Sequence, residues 1–395
     1  MNGLKQIFTV TALSLKTIPG RLGSSFVAIA GIAGVVIVFV SVLSIAEGFE
    51  AAMEGAGSPN RAIVMRSGAD SEMVSGLSGP DVDIIKQAPG IARDGEAPIA
   101  SAELFVILAV PKRSTGTDAN VPMRGVEPSA FQVRHEFSII EGRQFEFGTN
   151  EVIVGRGAHG QFAGLNVGEE VRSGQVAWKV VGIFEQDGGV AETEIWGDAR
   201  TIQGAFSRGN SFQSVLIRLE SSQDFERTRD WLTTNRQLSV SLRAEPEYYA
   251  SQSRIMTGLI QGIGFFIAFL MGIGAVFGAI LTMYTAVSTR TREIATLRAL
   301  GFNAVSVMVS VLWESMVLGA IGGVVGGVVA YAAFNGYQTS TMNFQTFSQV
   351  AFAFRVTPQL LGIGLSYALL MGLVGGFFPA LRASRQSIPT ALREL

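Results

Sequence analysis

From Ile255 to Ser288 the chain carries no charged side chain at all. A run of that length exceeds the roughly 20 residues needed to cross the hydrocarbon core of a bilayer. Inside lipid every backbone N–H and C=O must be paired within the chain, so such a run folds as a helix. Three more apolar runs share this character, and together they predict spans over residues 22–47, 255–288, 303–337 and 356–381. The composition agrees: 48% of residues are hydrophobic, only 16% are charged, and 47 of the 395 are Gly. The run at 255–288 is longer than one bilayer needs. Its helix is expected to project beyond the membrane at the outer end, where Tyr248 and Tyr249 approach the interface.

Residues 48–254 are a different material. Turn clusters such as Gly57-Ser58-Pro59-Asn60, Ser78-Gly79-Pro80 and Asp187-Gly188-Gly189 separate short β-rich runs. The patterning predicts strands at Ala62–Met65, Leu104–Val110, Glu151–Val154, Val176–Phe184 and Ser214–Leu219, and helices at Gly79–Gln87 and Gln223–Thr234. About 200 residues of this kind are enough for a separate α+β core. Charge sets the orientation, because short loops rich in Lys and Arg stay in the cytoplasm. Residues 1–21 carry Lys5, Lys16 and Arg21 with no acid, and 382–395 carry Arg382, Arg385 and Arg393. The loop 338–355 has one basic residue and suits the outer side. The fold class is therefore an α-helical membrane protein with four transmembrane helices and a large α+β extracytoplasmic domain inserted between the first and second. Residues 1–21 read as a cytoplasmic interfacial helix, or alternatively as a disordered basic tail. The first apolar run is too long for a signal-peptide core, so no cleaved leader is expected.

The cytoplasmic stretch 289–302 stands out. It holds Arg290, Arg292 and Arg298 against one acid, Glu293. As a helix it places Ile294, Leu297 and Leu300 on one face, with Arg290, Glu293 and Arg298 mostly off that face and turned to water. Gly301 sits where a left-handed helix stop is wanted. A short amphipathic helix between two spans lies at the membrane surface, and this one reads as the part of the protein that is pushed.

Several chemistries find no support. There is no cysteine, so no disulfide, thiolate or zinc-thiolate site is available. A net charge of -2 implies no general affinity for nucleic acid. His135 and His159 are the only histidines, and no further ligands stand at metal-site spacing. The sequence contains no Gly-x-Ser-x-Gly elbow and no Gly-x-x-x-x-Gly-Lys-[Ser/Thr] loop, so this stretch of chain is not expected to bind or hydrolyse ATP. Glu314 is the one ionisable residue inside a predicted span. It reads either as a hydrogen-bonded packing residue or as a functional group, and a proton relay would need an ionisable partner in another span, which the sequence does not offer. Glycines four apart recur at Gly258/Gly262, Gly274/Gly278, Gly319/Gly323, Gly322/Gly326, Gly323/Gly327 and Gly372/Gly376. They suit close helix–helix contact, within one subunit or between two copies.

Arg292-Glu293-Ile294-Ala295-Thr296-Leu297-Arg298-Ala299-Leu300-Gly301 resembles the cytoplasmic R-E-I-x-x-L-R-A-L-G segment of the MacB/FtsX-type ABC transporter permeases. Glu314 falls where that family often has Glu. Phe378-Pro379-Ala380-Leu381-Arg382-Ala383 followed by Ile388-Pro389-Thr390-Ala391-Leu392-Arg393 resembles its closing motif. Gly142-Arg143, Asn150 to Gly155 and Leu165 to Val171 resemble segments of its outer domain. The resemblance covers essentially the whole chain. It implies a non-enzymatic permease that pairs with a second copy and with a separate ABC ATPase, which would hold the ATP and Mg. Arg290, Arg292, Glu293, Ile294, Leu297, Arg298, Leu300 and Gly301 would form the coupling helix seated on that ATPase, and Glu314 would be the intramembrane polar group. Closure of the ATPase would move the outer domain by mechanotransmission. The implied setting is the bacterial inner (cytoplasmic) membrane with the large domain in the periplasm. A periplasmic adaptor and an outer-membrane channel would serve export or efflux. Family members alternatively extract lipoproteins or regulate cell-wall hydrolases. A membrane-anchored sensor would need a cytoplasmic signalling domain, and an ion-coupled transporter would need more spans and midplane polar groups.

Overall fold

The computed structural model describes residues 6, 8, 10–12, 22–55, 57–134 and 136–386. Two compact units emerge. One holds the described residues of Met1–Glu47, Leu259–Tyr337 and Phe354–Leu395, and the other is Gly48–Gly258 with Gln338–Ala353. His135, most of the 1–21 segment and the closing Ile388–Arg393 motif lie outside the described residues.

Among the described residues four helices are long and apolar enough to cross a membrane. They run Leu22–Glu54, Glu245–Ser288, Ala304–Phe334 and Pro358–Arg385. Two differ from the sequence expectation in length. The first continues past residue 47 to Glu54, because Glu47, Glu50 and Glu54 end the apolar run while Ala and Met keep the backbone helical. The second starts at Glu245, ten residues before 255, with Pro246 and the acids Glu245 and Glu247 in its first turn, where the helix dipole favours them. Its 44 residues make it about 66 Å long at 1.5 Å per residue, about twice the hydrocarbon thickness.

The third and fourth helices approach closely through glycine. A Cβ on Gly319 would meet the Ala368 carbonyl oxygen at 2.8 Å, and one on Gly372 would meet that of Ser315 at 2.8 Å. The Ser315 hydroxyl donates to the Gly372 carbonyl at 2.6 Å. Gly322 and Gly326 face the backbone and side chains of Ile29, Ile32, Ala33 and Val36 on the first helix. Among the described residues, a Cβ on Gly258, Gly262, Gly274 or Gly278 of the second helix would meet nothing within 4 Å. The glycine pattern is therefore used within the subunit by the third and fourth helices but not by the second.

The other unit is built on a ten-stranded mixed sheet. The strands run in the order Val240–Ala244, Arg61–Arg66, Ser214–Arg218, Ala100–Pro111, Asp118–Val126, Ile195–Asp198, Glu151–Gly155, Val176–Glu185 and Ser138–Gly142, with Glu170–Ser173 beside Val176–Glu185. The five strands expected from the sequence are present with ends shifted by a few residues at most. The five others escaped notice because they are short, or, like Asp118–Val126, carry Asp, Asn, Pro and Gly. The expected outer loop 338–355 is instead a β-hairpin, Gln338–Asn343 with Ser348–Ala353, and it buries Val350 and Phe352. Asn343 Nδ2 donates to Gln252 Oε1 at 3.0 Å, and the Ala351 N–H donates to Thr193 Oγ1 at 2.9 Å.

Charge, as well as apolar packing, holds this unit's centre. Arg124 pairs with Glu72, Glu103 and Glu194 at 2.7–2.8 Å, and Arg134 pairs with Glu103 at 2.5 Å, all of them buried. Burial alone would raise the Glu103 pKa, but Arg134 and Arg124 outweigh it and hold the carboxyl below its usual range. A depressed carboxylate contributes stability above its unfolded pKa and loses it as the pH falls through its folded pKa. The melting midpoint of the purified protein is thus expected to fall as the pH drops below about 4. A thermal series across pH 3–8 measures this, and a profile flat to pH 3 would contradict it.

Candidate coupling segment and its buried ion pair

Thr291–Ala299 folds as a nine-residue helix. Its start is the turn Ser288-Thr289-Arg290, and the Arg290 carbonyl accepts the Ile294 N–H at 2.9 Å. Its stop is a Schellman motif. Gly301 has φ of 92°, its N–H reaches the Arg298 carbonyl, and the Phe302 N–H reaches the Leu297 carbonyl. Gly is suited there because a Cβ is disfavoured at positive φ.

The side chains sort differently from the helical wheel. Ile294 and Ala295 are buried and Leu297 is half-buried, but Leu300 is 74% exposed. Leu300 stands at the helix's last turn, beyond the packed part, so it does not join the Ile294 face. Arg292, Glu293, Thr296, Ala299 and Leu300 are all exposed, and their spacing places them along one side. Two arginines expected in water are not there. Arg298 is half-buried and donates to the Gln386 carbonyl at 2.6 Å. Arg290 is only 7% exposed.

Arg290 turns inward to meet Glu314. Its NH1 donates to Glu314 Oε2 at 3.0 Å, and Glu314 is 5% exposed on the third helix. Glu314 thus has an ionisable partner, although the spans themselves offer none in the sequence. The partner comes not from another span but from the turn that opens the coupling segment, 24 residues earlier. A charge inside a membrane unit is costly alone, and a hydrogen-bonded counter-charge offsets much of that cost. Glu293 lies 3.9 Å from the Arg290 guanidinium but is mostly in water. Around the pair is a cavity of about 460 Å³ whose lining includes Met283, Val287, Ile294 and Val311. The arrangement fixes a short helix to the third span at one charged point and presents the helix's other side outward.

Residues 25–235 match the model of the MacB-like periplasmic core domain, more than half of the chain. Residues 265–388 match that of the FtsX-like permease C-terminal region. The chain belongs to the MacB/FtsX-type family of ABC transporter permeases. The permease is a multi-pass membrane protein, and its α+β domain is of the periplasmic-core type. It is 24% identical to the macrolide export ATP-binding/permease protein MacB of Pasteurella multocida over 346 residues, 82% of this chain and 50% of that protein. It is 26% identical to the MacB of Campylobacter fetus, over 58% of this chain and 36% of that one. An uncharacterized ABC transporter permease of Methanocaldococcus jannaschii is 22% identical over 62% of each. The permease chain spans about half the length of these curated relatives. Among solved structures, the extracellular domain of the noncanonic ABC-type transporter YknZ from Gram-positive bacteria matches at 15% identity and a TM-score of 0.35, over 47% of this chain and 100% of that one. The periplasmic region of MacB from Actinobacillus actinomycetemcomitans matches at 11% identity and a TM-score of 0.38, over 49% of this chain and 92% of that one.

Proposed function

We propose that this permease converts ATP hydrolysis on a partner ABC ATPase into movement of its periplasmic domain, by force carried along its helices. The observation that carries this reading is the second helix, one uninterrupted element from Glu245 to Ser288 that ends at the coupling turn. A continuous helix transmits axial and rotational displacement with little loss, and rigid-body shifts of this kind are a common way for switching proteins to act at a distance. The exposed side of the coupling helix, with Arg292, Glu293, Thr296 and Leu300, is the docking face for the ATPase, which holds ATP and Mg. Basic flanks keep that face in the cytoplasm of a bacterial inner membrane. The working unit is a homodimer, and the names of its MacB relatives favour export; the family resemblance adds a periplasmic adaptor and an outer-membrane channel to this reading.

The test is an Arg292→Glu, Leu300→Asp variant. Both side chains are exposed, so the melting midpoint should stay within about 2 °C of the parent. Recovery of the ATPase on the purified permease should fall by about tenfold or more. Undiminished recovery of the ATPase with this variant would overturn the docking assignment.

A further inference from the structure

The first turns of the second helix belong to the sheet-bearing unit, and they are held there by polar groups rather than by apolar packing alone. Glu245 is 1% exposed, and its Oε2 accepts from Arg61 Nε at 2.5 Å and from the Ser58 N–H at 3.1 Å. Tyr248 is also 1% exposed, and its hydroxyl accepts the Glu72 N–H at 3.1 Å. Gln252 is 4% exposed and accepts from Asn343 of the β-hairpin at 3.0 Å. Positions 245, 248 and 252 lie three and four apart, so the three contacts form one stripe along one face of the helix.

Two of these contacts lead further into the domain. Arg61, on the strand Arg61–Arg66, also pairs with Glu136 at 2.6 Å. Glu72 accepts from the Ser214 hydroxyl at 2.6 Å and pairs with Arg124, which in turn holds Glu103 and Glu194. The stripe is therefore tied to the strands Ala100–Pro111 and Asp118–Val126 and, through Glu194, to the residue before Ile195–Asp198. Apolar contact is non-directional and lets a helix turn or slide at modest cost. Buried ion pairs and hydrogen bonds do not, because a displaced partner leaves a desolvated polar group behind. Fixing register is the best-attested use of such groups.

We propose that Glu245, Tyr248 and Gln252 are positioning residues that clamp the foot of the second helix to the periplasmic domain, so that the helix's movement is delivered whole instead of being lost as slip. The assignment rests on the force-transmission reading above, but the clamp can be tested apart from it.

The chain has no native cysteine, so spin labels can be placed at will in the full permease assembled with its ATPase. Exposed Ile263 and Asp230 report the helix against the sheet, and Asp230 with exposed Arg385 reports the sheet against the membrane helices. In the parent the 263/230 distance distribution should be narrow with and without ATP, while the 230/385 distance shifts on ATP binding. The clamp is then removed by Arg61→Met with Glu245→Leu and Glu136→Gln, so that neither acid of the group keeps an unpaired charge, and independently by Gln252→Leu with Asn343→Leu. In either variant the 263/230 distribution should widen by about twofold and the ATP-driven 230/385 shift should fall by about half or more, with melting and ATP turnover retained. A 263/230 distribution that stays narrow in both variants would overturn the clamp. Absence of any ATP-driven 230/385 shift in the parent would instead overturn force transmission, while the 263/230 result would still decide the clamp.

Discussion

Changing Glu314 to Ala is expected to lower the melting midpoint of the detergent-purified permease by on the order of 10 °C and to abolish productive coupling. The reason is asymmetric. Glu314 faces a guanidinium that is only 7% exposed. Removing one member of a buried pair leaves the other charge desolvated without its counter-charge, which costs about 3–5 kcal/mol. The same loss on the Arg290 side, Arg290→Met, should be of similar size. Replacing both, Arg290→Met with Glu314→Met, removes the two charges together and should be milder than either single change. A double-mutant cycle should then return an interaction of about 2 kcal/mol or more. Glu293→Ala is the control, because Glu293 is mostly exposed and 3.9 Å away. It should cost no more than about 1 kcal/mol. Additive effects at Arg290 and Glu314 would mean that the pair is not energetically coupled. Loss of ATP-driven movement in a double variant that melts normally would show that the charged point, and not stability alone, serves transmission.

How much of this was legible in the sequence depends on the distance over which each feature is encoded. The four apolar runs and the α+β insertion are local patterns of composition, so they could be read directly. Gly301 was equally readable, since a glycine after a helical run carries its own conformational reason. Arg290 was not. Taken with its immediate neighbours it lies on the charged side of a short helix, and nothing within that helix says that it turns inward. Its partner is 24 residues away around a helix–turn–helix, a separation that periodicity does not register. Glu314 stands out in the sequence because an acid in an apolar run is costly, but its partner sits in a turn, where the pattern of apolar runs gives no sign of it. The hairpin at 338–353 was missed for a different reason. Its strands are six residues each and sit in what charge counting marks as a short outer loop; charge assigns a side of the membrane but not a fold. The buried Arg124 cluster illustrates the same limit. Glu72, Glu103, Arg124 and Glu194 look like scattered surface charges until the fold brings the three carboxylates within 3 Å of the Arg124 guanidinium.

Gly319→Ala should destabilise the permease while Gly274→Ala should not, although both glycines belong to four-apart pairs in apolar helices. At Gly319 a methyl would stand 2.8 Å from the Ala368 carbonyl oxygen and 3.3 Å from the Gly372 Cα. Both are backbone atoms of the fourth helix, so neither can swing aside. The helices must separate, and overpacking of this kind costs about 1–3 kcal/mol, a fall of several degrees in melting midpoint. Leu at Gly319 should prevent folding altogether. At Gly274 an added methyl would meet no atom of another element within 4 Å among the described residues. There Ala gains helix propensity, up to about 1 kcal/mol, and the midpoint should hold or rise slightly. Melting curves of the two variants side by side decide the matter, and equal losses at both positions would contradict the assigned packing. The consequence for coupling follows from adjacency. Ser315, which hydrogen-bonds to the Gly372 carbonyl, directly follows Glu314 on the third helix. The acid that anchors the coupling segment is thus set in a helix already fastened to the fourth by backbone-to-backbone contact. On the proposed force-transmission reading, a Gly319→Ala protein that still folds should therefore keep its ATPase bound and yet move its periplasmic domain less per ATP, because the anchor for Arg290 would yield under load.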